Sequence, residues 1–207
     1  MQRVAAIAAF AALVAVSGGV WYATQRTASG DPYAQCRTSR IAGGAEQIGG
    51  PFTLLNKAGE TVTDKDVITK PSLVYFGYTF CPDVCPFDTA RNAEAVDELD
   101  TRGYDVTPVF ISIDPERDTP EVVGEFAELI HERMIGLTGT PEQVKAASQT
   151  YRTYYRKQEN DDPDYYLVDH STFTYLVLPE VGFVDFFRRE VTPEEMADQV
   201  ACYIDAS

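Results

Sequence analysis

Positive charge is scarce in this 207-residue chain: 17 Lys and Arg stand against 32 Asp and Glu, for a net charge of −15. All of the acidic residues, and all of the basic ones except Arg3 and Arg26, lie beyond residue 26. A surface of that sign repels a phosphate backbone, which argues against a nucleic-acid partner. It suits a soluble exported domain, or one that attracts cations or a basic partner. Histidine is nearly absent, with only His131 and His170, and cysteine is limited to Cys36, Cys81, Cys85 and Cys202. The chain has no internal repeat and no low-complexity tract, so repeat architectures are set aside. The acidic run Asp114-Pro-Glu-Arg-Asp118 lacks the spacing of an EF-hand and reads as a strand-to-helix connector.

Charge is also missing from Val4 to Ala23. About 20 apolar residues are what a membrane-spanning helix needs, and Trp21 and Tyr22 have the character of interface anchors. A cleaved signal peptide is the rival reading, and either one exports the rest of the chain. The expected organisation is a membrane anchor or signal segment over 1–26, a small, polar, Gly-rich linker over 27–47, and one globular domain over 48–207. In an oxidising compartment Cys36 and Cys202 are able to pair, stapling the N-terminal arm to the last helix; two free thiols are the alternative.

Within the domain, Ile48–Leu55 and Glu60–Thr63 read as a hairpin about the Asn56–Gly59 turn. Leu73–Tyr78 is a buried strand, and a helix follows from the Cys81–Cys85 region to Leu99. Val106–Ile113 is the next strand. Three Thr-Pro-Glu triplets, at Thr119, Thr140 and Thr192, each combine a capping threonine with proline in the first turn. They predict helices to about Ile130, over Val144–Lys157, and to about Ala206. Phe173–Leu178 and Phe183–Phe187 form an antiparallel pair about the 179–182 turn. Parallel β-α-β units followed by an antiparallel hairpin and a helix give an α/β fold with a mixed central sheet. A cysteine pair at the first strand-to-helix junction is the thioredoxin-like arrangement, where the helix N-terminus favours a thiolate.

The chemistry concentrates in Phe76-Gly-Tyr-Thr-Phe-Cys81-Pro-Asp-Val-Cys85-Pro86. Placed on the first turns of a helix, Cys81 and Cys85 share a face, with Cβ atoms roughly 5–6 Å apart. That is wider than the Cβ separation of about 3.5–4.5 Å in a disulfide, so the pair suits metal ligation at least as well as rapid exchange. Thiolates select Cu(I), zinc or an iron–sulfur centre. His170, in Val168-Asp-His-Ser171, is the one plausible third ligand, and an S,S,N set is comfortable for Cu(I). His131, at a helix end among charged neighbours, reads as a surface or capping residue. Asp83 is a candidate for tuning the thiolates or meeting a partner, and Asp169 for orienting the imidazole or meeting a partner. Tyr151–Lys157 reads as an aromatic–basic helix face. Tyr75, Phe76, Tyr78 and Phe80 read as core and rim packing.

The chain resembles the SCO/SenC family of membrane-anchored copper chaperones. The resemblance rests on Ile48-Gly-Gly-Pro-Phe52, Tyr75–Pro86, Phe110-Ile-Ser-Ile-Asp-Pro-Glu-Arg-Asp-Thr-Pro120, Ile135–Thr140 and Val168–Ser171, and it spans about residues 48–204. It implies a thioredoxin-like fold outside the cytoplasmic membrane, on the periplasmic side. It further implies copper, Cu(I) or Cu(II), on Cys81, Cys85 and His170. The implied role is delivery of copper to the CuA site of cytochrome c oxidase subunit II, or preparation of that site's cysteines, with another copper chaperone as a further partner. The alternative is a thiol–disulfide oxidoreductase in which Cys81 and Cys85 are catalytic toward exported partner cysteines. A peroxiredoxin-type peroxidase fits poorly, because Thr79 stands two residues before Cys81 rather than three.

Overall fold

The computed structural model describes residues 14–22, 32–37, 47–159 and 165–207. The chain divides into two units, 1–35 with Ser207 and Cys36–Ala206, and the fold belongs to the second. Residues 14–22 are helical. Among the described residues no helix is long and apolar enough to cross a membrane. The transmembrane helix expected over 1–26 falls mostly outside the described residues.

The core is a five-stranded mixed sheet in the order β5-β4-β3-β8-β9. Its strands are β3 (Ser72–Gly77), β4 (Thr107–Ser112), β5 (Ile135–Leu137), β8 (Thr174–Leu178) and β9 (Gly182–Phe187). β3 runs parallel to β4, and β4 parallel to β5, while β8 and β9 return antiparallel. This is the mixed sheet that the sequence predicts. β1 (Thr53–Leu55) and β2 (Thr61–Thr63) form the expected hairpin. A short α1 (Asp64–Val67) and strand β5 are additions to the sequence reading.

Every residue of β3 is buried, so its alternating side chains feed both faces of the sheet. On one face Tyr75 reaches α2 (Val84–Thr101), donating its hydroxyl to Asp88 Oδ2 at 3.0 Å. On the other, Phe76 packs on Tyr151 at 5.3 Å, and Tyr151 on Tyr175 at 5.4 Å. The Thr-Pro-Glu signals are correct as helix starts. α3 (Pro120–Ile130), α4 (Pro141–Thr150) and α5 (Pro193–Asp205) are each capped by the preceding threonine, and α4 and α5 carry full capping boxes.

One element differs in kind. The helix expected over Val144–Lys157 ends at Thr150. Tyr151 turns inward to fill the core, 1% exposed, and Arg152 has φ 52°, a left-handed conformation that a helix does not continue through. Tyr155–Lys157 is therefore a strand, β6, paired antiparallel with β7 (Val168–His170). The aromatic–basic stretch is not a helix face. Periodicity misread it because the buried tyrosine belongs to the sheet's core rather than to a helical stripe.

Cys36 and Cys202 form a disulfide, with Cα atoms 5.7 Å apart and a sequence separation of 166. Cys202 lies on α5, whose Tyr203 donates to buried Asp185 at 2.7 Å. The staple thus locks the helix that covers α2. Closing so long a loop restricts the unfolded chain, by about 2–4 kcal/mol in folding stability. Cys202→Ser is expected to lower the urea midpoint under non-reducing conditions to that of the parent with reductant. Equal midpoints for variant and oxidised parent would show that the staple contributes nothing.

Candidate metal centre

β3 ends at Gly77, where its chain leaves the sheet. Tyr78, Thr79 and Phe80 make a tight turn, with Cys81 N–H donating to the Tyr78 carbonyl at 3.3 Å. α2 begins at Val84. Cys85 therefore sits in the first turn of α2, but Cys81 precedes the helix, which corrects the placement of both on helical turns. Pro82 and Asp83 carry the chain from loop to helix, and the Cys81 sulfur folds back to accept the Cys85 N–H at 3.4 Å. Cys81 thus acts as a cap on a helix N-terminus, taking up a donor that has no partner within the helix. Both thiols are free and buried.

The Cys85 slot is made by glycine. A Cβ built on Gly77 would stand 2.8 Å from the Tyr75 ring, 3.0 Å from Cys85 Sγ and 3.0 Å from the Phe110 ring. The strand has no room there for a side chain once the sulfur is in place.

His170 arrives from β7. Its Nε2 lies 3.3 Å from Cys85 Sγ, and Nδ1 lies 2.8 Å from the Ser171 carbonyl oxygen. A carbonyl can only accept, so Nδ1 carries the proton, and in the neutral ring Nε2 presents its lone pair to the sulfurs. Tyr75 and Tyr78 meet the imidazole edge-on, at 6.3 and 5.8 Å. The two Sγ atoms and one His170 ring nitrogen all lie within 4.8 Å of one another. Bonds of about 2.0–2.3 Å to one soft ion span such separations. The donor set therefore fits copper, and among the described residues it is the one such cluster of His, Cys, Asp and Glu.

The two thiols are unequal. Cys81 is held well below the usual thiol range, first because Cys85 donates to its sulfur. The backbone N–H groups of Cys85 and Asp83 contribute further. Cys85 is pushed up, because the Cys81 thiolate holds its proton and burial disfavours a second charge. The pair shares one proton, and Cys81 is the thiolate.

Of the remaining candidates, Asp83 acts through its backbone, and its side chain makes no cap bond. Asp169 does not orient the imidazole. Strand alternation turns it away, and it accepts from Gln158 at 2.6 Å and Arg156 at 3.5 Å. The Ser171 carbonyl does that work instead. His131 caps the C-terminus of α3 and accepts the Arg133 N–H on Nδ1 at 3.0 Å. The sequence reading missed Asp88, Gly77 and Asp118. Burial pushes the Asp88 carboxyl up, and it lies beneath Tyr75 with Arg91 Nη1 at 4.0 Å. Asp118 is fully buried; it accepts from Ser112 Oγ at 2.5 Å, Thr79 Oγ1 at 2.5 Å and Thr79 N at 3.0 Å. It pins the loop two residues before Cys81.

Two buried sulfurs at the strand-to-helix junction of a thioredoxin-like sheet, met by a half-buried imidazole, define a class of soft-metal and thiol proteins. The chain belongs to the SCO1/SenC family, whose model matches residues 41–205. It is 57% identical over 205 residues to the protein SenC of Rhodobacter capsulatus, covering 99% of this chain and 92% of that one. It is 46% identical to the mitochondrial SCO1 homolog 1 of Arabidopsis thaliana, over 76% of this chain and 47% of that protein. The chain spans about half the length of that relative and of the human SCO1 homolog. The crystal structure of Arabidopsis ScoI with copper bound superposes with a TM-score of 0.72 at 44% identity, over 76% of this chain and 99% of that one.

Two outcomes test this geometry. Gly77→Ala is expected to displace Cys85, lowering stability by about 1–3 kcal/mol and weakening metal binding; an unchanged denaturation midpoint would contradict the tight slot. In the reduced, metal-free protein, iodoacetamide is expected to modify Cys81 first. Its rate should change little between about pH 5 and about pH 8, because a depressed pKa keeps the thiolate populated throughout that window. A rate climbing about tenfold per pH unit would mean an ordinary thiol.

Proposed function

We propose that this chain is a copper chaperone that holds its cargo on Cys81, Cys85 and His170 and passes it to the CuA site of cytochrome c oxidase subunit II. The observation that carries the reading is the convergence of two buried sulfurs and one imidazole nitrogen within 4.8 Å. Relatives solved with copper bound support the choice of ion. Cys81 is ready to bind as a thiolate, and Cys85 loses its proton as copper arrives. His170 offers Nε2 without giving up a proton, since its N–H is committed to Ser171. An acceptor presenting soft ligands then takes the ion by ligand exchange, and another copper chaperone serves as donor by the same chemistry.

The unequal thiols support a second reading on the same residues, a reductant for partner cysteines. The Cys81 thiolate attacks a partner disulfide, forming a mixed disulfide and releasing one partner thiolate. Cys85 gives up its proton and attacks Cys81 Sγ, releasing the second partner thiol and leaving a Cys81–Cys85 disulfide. A two-electron reductant must restore the pair. Copper binding and this exchange both require the reduced cysteines.

For location, we place the domain on the periplasmic side of the cytoplasmic membrane, held by residues 1–26, with 27–47 as linker and 48–207 as the copper-binding domain. The uncharged Val4–Ala23 stretch supports the anchor, and the Cys36–Cys202 disulfide supports an oxidising compartment.

The test is copper stoichiometry with X-ray absorption on the reduced full-length chain. One copper per chain with two sulfur neighbours and one nitrogen is expected. His170→Ala is expected to lose the nitrogen and tight binding while retaining disulfide exchange. Unchanged copper affinity in His170→Ala would overturn the three-ligand site. No tight copper alongside a readily cycling disulfide would leave the reductant reading.

A further inference from the structure

The three donors are not held by the same part of the fold. Cys81 and Cys85 flank the N-terminus of a helix packed on the central sheet. His170 ends β7, whose ladder is with β6 alone and outside that sheet. The ladder is three residue pairs long, and a two-stranded ribbon of that size is marginal by itself in water. Hydrogen bonds from Val168 N–H to the Tyr78 hydroxyl at 3.3 Å and from Ser171 N–H to the Tyr154 carbonyl at 2.9 Å extend its hold on the His170 arm, and the densest set of contacts is at Tyr166.

The loop between β4 and α3 grips this arm at Tyr166, four residues before His170. Buried Asp114 accepts the Tyr166 hydroxyl on Oδ1 at 2.6 Å and holds Arg117 Nε on Oδ2 at 2.6 Å. Arg117 Nη1 donates to the Tyr166 carbonyl at 3.0 Å, and its guanidinium lies 3.6 Å from the ring centroid. Lys157 Nζ lies 3.7 Å from the same ring's centroid and pairs with Glu116 at 2.7 Å. One tyrosine is thus held at its hydroxyl, its carbonyl and its ring by a loop that contains none of the ligands. The same loop ends at Asp118, which holds the cysteine side through Thr79.

We propose that Asp114 and Arg117 are positioning residues for His170. Resting on the three-ligand reading above, they act on the third copper ligand through Tyr166, with Arg117 also lying 4.7 Å from the Phe80 ring centroid beside Cys81, while Asp118 positions the cysteine loop through Thr79. From the grip at Tyr166 to His170 the chain runs four residues, about 13 Å when extended, along β7 and its pairing with β6, so a shift there is passed along the strand to Nε2. Cys85 is anchored by the first turn of α2 and Cys81 by the loop that Asp118 holds at Thr79.

Arg117→Lys keeps the charge but loses the planar fork. Tyr166→Phe removes a single oxygen and serves if the first variant folds poorly. In the copper(I)-loaded full-length chain, both are expected to retain two sulfur neighbours and to weaken the nitrogen contribution. Copper release to a Cu(I)-selective chelator is expected to quicken by about 10–100-fold, the usual effect of removing a ligand's support. In Tyr166→Phe, which leaves the Arg117 contact with Phe80 in place, the alkylation rate of Cys81 should stay at the parent value, whereas Asp118→Asn should change it. Unchanged nitrogen and release rates in both variants would overturn the proposal. So would loss of sulfur and nitrogen together, which would make the clamp a general support. A parent that binds no copper would instead count against the function. The clamp is then read from the imidazole nitrogen NMR of the metal-free chain, simple with two histidines. Variants whose His170 signals match the parent's would refute it.

Discussion

The metal centre depends on how tightly the Cys85 sulfur is enclosed. The sulfur fills the space above Gly77, between Tyr75 and Phe110 on neighbouring strands. That packing fixes where α2 begins relative to the sheet, because Cys85 is in its first turn. Once Cys85 is fixed, its N–H points at the Cys81 sulfur, and the imidazole of His170 approaches from β7 with a nitrogen lone pair. Had residue 77 a side chain, the sulfur, the start of the helix and the cap on it would all move together. Close packing transmits such a displacement rather than absorbing it.

The electrostatics follow from the same burial. Two thiolates this close, both withdrawn from water, repel one another strongly. The pair relieves this by keeping one proton between the sulfurs, with Cys81 charged where backbone N–H groups point at it and Cys85 neutral in the dry slot. A soft cation offers the alternative resolution: Cu(I) in place of the shared proton would leave the same net charge while bonding both sulfurs directly. The centre is built so that the metal-free state is tolerable but not fully satisfied, which suits a site that must take up and surrender its ion. The Cys36–Cys202 staple, on the helix covering α2, adds stability without drawing on the reactive pair.

Much of this was legible in the residues. The threonine–proline helix starts are local hydrogen-bond chemistry, so the sequence alone places α3, α4 and α5 at their N-termini. The β3–α2 cysteine pair and the distant His170 could be read as one soft-ligand set because thiol and imidazole are so rare in the chain. What was not legible depends on tertiary placement. Tyr151 looks like part of a helical stripe until the core claims it, and that one residue turns the stretch after it from helix into β6. Asp114 and Asp118 look like a solvated connector, since nothing in a sequence distinguishes an exposed carboxylate from one satisfied by Ser112, Thr79, Arg117 and Tyr166. Asp169 looks like the partner of its neighbour His170, but adjacent residues on a strand face opposite ways.

The division of the ligands between two parts of the fold bears on how a chaperone releases cargo. A site with all three donors on one rigid element would bind well and let go slowly, because every bond would have to stretch at once. Here two soft donors sit on the core and the third sits on a small ladder tied down through Tyr166. With copper on all three donors, withdrawal of the imidazole would leave both sulfurs to hold the ion while an incoming ligand approached. The stiffness of the loop from Asp114 to Asp118 then sets how readily that first step occurs. Tyr165, exposed and in edge contact with Phe80, joins the segment that carries His170 to the turn before Cys81, so pressure on this aromatic pair reaches both sides of the centre.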